Sequence, residues 1–194
     1  MGKGDATKAP RKVFLFSGHM IDAPGRPKPR FPPAREPAAA RAIAAKLDEL
    51  GGGAGDLAIC GGACGGDLLF AEMALARGLR LQVLIPFDEP TFLAQSVDFA
   101  DADWRRRFFA ATTHPAASLQ TMPNVLGPSA PEIDPYEREN QWLLDTALEW
   151  GAEKLHFICL WDGGGGDGPG GTRHMVERVK QSQGTVHWLD VRTL

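Results

Sequence analysis

Three cysteines, Cys60, Cys64 and Cys159, are too few and odd in number for a disulfide framework, and each lies in or beside an expected strand. They are read as buried thiols in a reducing compartment. The C-x3-C spacing of Cys60 and Cys64 has no second ligand pair nearby, so no metal site is expected. A basic excess is missing as well. Lys and Arg number 21 against 24 Asp and Glu, a net charge of −3, which excludes a general nucleic-acid binder. No apolar run approaches the length of a membrane span, so no membrane partner is expected. The polar start MGKGDATKAPRK lacks a secretory pattern, and Ala6 stands where myristoylation needs Ser or Thr. The default reading is a soluble cytoplasmic protein. Residues 1–11 read as a flexible tail and 12–194 as one domain, a size at which a sizeable core is possible.

What the chain has is glycine, 23 residues, gathered into particular loops. The stretch Leu57–Pro86 carries the pattern around which the rest is arranged. Leu57–Cys60 is an apolar run. Gly61, Gly62, Gly65 and Gly66 follow, then Asp67 and a helical spacing of Leu68, Phe70, Ala71, Ala74 and Leu75. Gly78 ends that helix, and Leu81–Ile85 is a second apolar run. This is a βαβ unit of about 30 residues with glycines where strand enters helix. Glycine allows a tight turn and close approach of a ligand, and the helix N-terminus favours an anion such as phosphate.

In chain order, Lys12–Ser17 is the expected first and central strand, stopped by Ser17-Gly18-His19-Met20. Such a stop at the carboxyl edge of a parallel sheet is a natural ligand position, and His19 is the histidine favoured for the pocket. Residues 21–35 hold five prolines and four basic residues and read as a disordered excursion or a lid. Its cations Arg26, Lys28, Arg30 and Arg35 are solvated or reach an anionic ligand. Glu36–Leu50 is a helix with Ala39, Ile43, Leu47 and Leu50 on one face. Asp88 is read either as a ribose ligand or as a helix cap. Residues 91–113 are one or two helices with a break at Asp101–Asp103. One of Arg105–Arg107 is a candidate for the site. Residues 114–134 read as irregular, with a short strand near Asn124–Leu126. Asp134 and Pro135 start a helix to about Trp150. Lys154–Leu160 is a strand, Trp161–Thr172 a second glycine-rich loop, Arg173–Gln183 a helix and Thr185–Leu189 a last strand. Alternating strands and helices predict an α/β fold: a single Rossmann-like domain, a mostly parallel open sheet with helices on both faces.

Two strand–helix glycine turns can aim two helix N-termini at one anionic group. With SGHM after the first strand, CGGACGGDLLFAEMALARG, and GPGGT entering a helix, the sequence resembles the SLOG superfamily from about Val13 to Leu189. That Rossmann-like group includes the Lonely-guy phosphoribohydrolases, lysine-decarboxylase-like proteins, Smf-type DNA-processing proteins and sensor domains of nucleotide-linked systems. The resemblance implies a nucleotide-derived ligand. It places Ser17, Gly18, His19, Gly61, Gly62, Gly65, Gly66, Asp67, Gly170, Gly171 and Thr172 at the ligand; Asp162, which ends a strand at that edge, is read either as a ribose ligand or as a turn cap. It also implies pairing of two copies; Trp104, Phe108, Phe109 and Trp142 are read as core or interface, core favoured.

The phosphoribohydrolase branch carries Arg-Lys on a helix, then a strand, then P-G-G-x-G-T-x-x-E. Here Arg138, Pro169, Gly170, Gly171 and Glu177 fall at the motif's spacing, whereas Glu139 replaces the lysine, and Arg173 and His174 replace the third glycine and threonine. The resemblance makes Arg138 and Glu177 the candidate catalytic pair. Arg138 would hold phosphate and Glu177 would stabilise an oxocarbenium-like state. Their bland reading is surface ion pairing on their own helices, Glu177 with Arg173 or Lys180. The altered loop favours a ligand-binding or sensor module, with a nucleoside-monophosphate phosphoribohydrolase or related N-glycosidase as the alternative. An NAD(P)-dependent oxidoreductase ranks third, because G-x-G-x-x-G is absent at the first strand. No resident cofactor is expected.

Overall fold

The computed structural model describes residues 8–123, 134–164 and 171–194. Its described strands form one six-stranded sheet, all parallel: β1 (Val13–Gly18), β2 (Leu57–Cys60), β3 (Arg80–Ile85), β4 (Ala117–Thr121), β5 (Leu155–Trp161) and β6 (Thr185–Asp190). The spatial order is β4-β3-β2-β1-β5-β6. Helices α1 (Glu36–Glu49), α2 (Gly66–Ala76), α3 (Glu89–Ser96), α4 (Ala102–Thr112), α5 (Pro135–Leu148) and α6 (Thr172–Gln181) connect the strands.

Both faces of the central strands are apolar, which suits strands covered on two sides. Phe14 and Phe16 of β1 point into one core with Ile43 and Leu47 of α1, Phe70 of α2 and Phe108 of α4. Val13 and Leu15 point into the other, with Leu143 and Ala147 of α5 and Val176 and Val179 of α6. The sheet is therefore doubly wound, the Rossmann-like arrangement that the strand–helix alternation predicts. The three cysteines are free and buried within these cores. Among the described residues, no helix is long and apolar enough to cross a membrane.

Starts of helices follow the local chemistry. Asp88 accepts the Thr91 N–H (3.1 Å) and caps α3, so of its two readings the cap is what the structure shows. Asp101 accepts from Asp103 N and Trp104 N at the head of α4, and Asp134 from Tyr136 N (2.7 Å) ahead of Pro135 in α5.

Two expectations change, and a third is not tested. Residues 117–121 form β4, not irregular chain; ASLQT is a polar edge strand with little apolar signal. The expected strand at Asn124–Leu126 lies outside the described residues. The proline-rich excursion is an ordered segment tied to the core. Ile21 and Phe31 are buried, and the buried Asp22 carboxylate accepts the N–H groups of Arg30 (2.9 Å) and Phe31 (3.0 Å), closing the loop at its base. Just before β1, Arg11 is held by Asp56, whose buried carboxylate also accepts Lys12 N and Gly53 N. Trp104 and Phe108 are core residues, Trp142 flanks the second core, and Phe109 is partly exposed.

Candidate functional site

β1 leads by way of α1 to β2 on one side, while its other neighbour, β5, leads outward to β6. Their carboxyl ends form the topological switch point of the sheet, where connections diverge and leave a crevice. A cavity of about 410 Å³ opens there, a volume in the range of small-molecule sites. Its walls come from the end of β1, the end of β5, the loop entering α2, the exposed end of α3, the first turns of α5 and the N-terminus of α6.

From β1, Ser17, Gly18, His19 and Met20 line the cavity, and Gly171 and Thr172 line it from α6. The Ser17 and Thr172 hydroxyls are 3.4 Å apart. Gly171 precedes α6, and among the described residues no side chain caps the helix, so the first-turn N–H groups of α6 sit beside these hydroxyls. His19 is buried, its backbone N–H bonded to Leu160 O (3.0 Å). Its Nε2 lies 3.2 Å from both the Asp162 N–H and the Asp162 carboxylate. Burial pushes the His19 pKa down, although Asp162 pulls it up. A neutral imidazole accepting the Asp162 N–H fits that balance. Asp162 also accepts from Gly164 N (2.9 Å), closing the turn after β5, and it stands behind His19 rather than in the cavity wall.

The first glycine turn is built differently from a phosphate cradle. Asp67, one residue into α2, folds its carboxylate back over the loop, where it accepts the Ala63 N–H (3.4 Å), and the backbone amides of Gly62, Gly61 and Gly18 act on it to favour its charged form. The chain's own carboxylate thus stands over the loop amides that the glycine pattern assigns to a ligand. Gly61 lets Glu139 come close as well. A Cβ at Gly61 would lie 2.7 Å from Glu139 Oε1 and 3.0 Å from Asp67 Oδ2. Gly65, at φ +99°, passes against the backbone of His19 and Ile21, and Met20 bridges to it. Gly66 N donates to His19 O (3.1 Å). Gly61, Gly62, Gly65 and Gly66 therefore shape the floor without lining the cavity.

Glu139 is the residue sequence reasoning missed. It lies on α5 at the head of the Glu139–Leu143–Ala147 stripe, 6% exposed, and faces Asp67 across Gly61. Both carboxyls line the cavity. Burial raises Asp67 to about 7, against the pull of the Ala63 N–H and the nearby glycine amides. Burial, with Asp67 and Asp134 nearby, pushes Glu139 well above the carboxylate range. Two such groups do not both ionise at neutral pH. The donors favour the charge on Asp67 and leave the proton on Glu139. A carboxylate on an otherwise apolar helical stripe was the available signal. Phe92, Tyr136 and Trp161 supply aromatic walls, and the Tyr136 hydroxyl is 2.8 Å from Ser96 Oγ.

The remaining candidates lie elsewhere. Glu177 is 54% exposed and pairs with Arg173 at 3.1 Å, and Arg138, half-buried, is outside the cavity lining. Gly170 lies outside the described residues, as does Pro169. Arg107 is bound by Glu36 and Glu72 (2.6 Å each) over Trp104. Arg105 pairs with Asp98 and Arg106 with Asp103. Of the cations in the proline-rich segment, Arg30 lines the cavity, and Arg35 donates to Val191 O.

No family model matches this sequence, and no curated protein matches it. Among solved structures, that of the Moco carrier protein from Chlamydomonas reinhardtii is similar. The match has 12% identity and a TM-score of 0.43, over 93% of this chain and 76% of that chain.

Proposed function

We propose that this chain is a small-molecule-binding module of the SLOG type, cytoplasmic, whose residues 12–194 bind a nucleotide or nucleotide-derived ligand at the β1/β5 switch point. One observation carries the reading. A single cavity joins a helix N-terminus that no described side chain caps, with the Ser17 and Thr172 hydroxyls, suited to a phosphate, to aromatic walls suited to a heterocycle. The phosphate belongs at α6 in this reading, because Asp67 fills the first turn. A homodimer is part of the same proposal, to be read by light scattering.

The test is a thermal-shift panel of AMP, IMP, ADP-ribose, NAD and cyclic dinucleotides, with chromatography of each mixture afterwards. A ligand bound only by the native state raises the melting temperature. At least one compound is expected to raise it and be recovered intact, with the shift reduced in Thr172→Val. No shift with any compound overturns the proposal.

N-glycoside hydrolysis is the second reading, and the buried Glu139–Asp67 pair favours it, since a protonated carboxyl beside a carboxylate is suited to general acid catalysis. Free base appearing in the mixture, lost in Glu139→Gln and kept in Glu177→Ala, would establish hydrolysis in place of binding alone.

A further inference from the structure

We propose that Glu139 reads the bound heterocycle as a neutral carboxylic acid, its O–H donating to a ring nitrogen or oxo group and its carbonyl oxygen accepting from the neighbouring N–H. The inference rests on the cavity taking a nucleotide-derived ligand.

The geometry is that of a polar group prepared for a partner. Glu139 projects from the buried face of α5, lines the cavity, and is almost wholly removed from solvent. Among the described residues no hydrogen bond holds its carboxyl, which reaches over Gly61 beside Asp67 and opens on the cavity. A buried carboxyl without a donor is costly unless it is neutral or a ligand completes it. The groups that face it are acids or weak acids: Asp67 on α2, Cys60 on β2, and Asp134 and Tyr136 at the head of its own helix. Arg30 lines the same cavity, and its charge is felt at His19 and Asp162. Asp67 has the backbone donors that stabilise an anion, so the pair's charge resides there and its proton at Glu139.

Chemistry then fixes the class of edge. A neutral carboxyl presents one donor beside one acceptor. Its complement is a ring edge with an acceptor next to an N–H, an amidine or lactam edge. An ionised carboxylate presents two acceptors and selects two adjacent N–H donors instead. The two readings predict opposite pH dependence.

Calorimetry separates them, using AMP, IMP, N6,N6-dimethyl-AMP and ribose 5-phosphate from about pH 6 to about pH 9. AMP is expected to bind about 10-fold more tightly than its dimethyl analogue, which has lost the N–H. Affinity is expected to fall at the alkaline end as Glu139 ionises. Glu139→Gln, which keeps one donor and one acceptor, should hold AMP affinity within about 3-fold and abolish that fall. Glu139→Leu should lose the preference. Equal binding of AMP and dimethyl-AMP overturns the inference and leaves nucleotide binding standing. So does an affinity that rises with pH and is lost in Glu139→Gln, which marks an ionised carboxylate. Failure of every probe, ribose 5-phosphate included, overturns the nucleotide reading and this inference with it.

Discussion

Glu139→Gln tests the buried acid pair without any ligand. Unfolded, Glu139 titrates near its ordinary value, whereas burial and the two acids near it raise the folded pKa. Between those values the native state holds a proton that the unfolded chain has released. The slope of unfolding free energy with pH is then negative: stability is full below the unfolded pKa and declines as pH rises. One retained proton gives about 1.4 kcal/mol per pH unit. Discounted for water in the cavity, this becomes about 1–2 kcal/mol between about pH 5 and about pH 7. Gln keeps the shape and cannot ionise, so the variant escapes that decline. Relative to wild type it should gain about 1–2 kcal/mol over the interval, or about 2–8 °C in melting temperature. Urea titrations of both proteins across the range measure the difference. Taking the difference cancels the histidines, whose pKa values burial lowers. A difference that stays flat, or that grows towards acid, would refute the assignment of the proton to Glu139.

Gly65→Ala should cost about 3 kcal/mol or more in urea denaturation, because the residue has φ +99° and a Cβ would press on Ile21 N, with His19 O at 2.9 Å. Arg107→Ala leaves Glu36 and Glu72, each about one-third exposed, without their shared partner. A loss of about 2–3 kcal/mol is expected by calorimetry, and lysine, lacking the planar fork, should restore little of it. Glu177→Ala removes only an exposed pair with Arg173 and should change stability by less than about 0.5 kcal/mol, with any nucleotide-induced thermal shift retained. A lost shift in that variant would return Glu177 to the site.

Much of the architecture is legible in short stretches of sequence. Apolar runs such as Leu57–Cys60 and Leu155–Trp161 are buried on both faces and mark themselves as interior parallel strands. Asp134-Pro135 marks the start of α5, and Gly51 the end of α1. These are local signals, a side-chain period or a cap spanning a turn. β4 escaped because an edge strand with one solvated side needs no apolar run; its Leu119 and Ala117 are only partly buried. The proline-rich segment revealed its lack of helix, but its tether depends on Asp22 meeting Arg30 and Phe31 in space.

Apart from β4, the succession of strands and helices, the glycine turns and the carboxyl edge on which Ser17, Gly18 and His19 stand are written in local sequence. Only the tertiary structure decided what occupies that edge. Asp67 turns back over its own glycine loop, and the crossover from β4 to β5 carries α5 across the sheet and sets Glu139 against Asp67. Residues 67 and 139 share no period and no motif. Their proximity follows from the long-range winding of the chain, and the chemistry of each carboxyl depends on the burial and on the neighbour which that winding supplies.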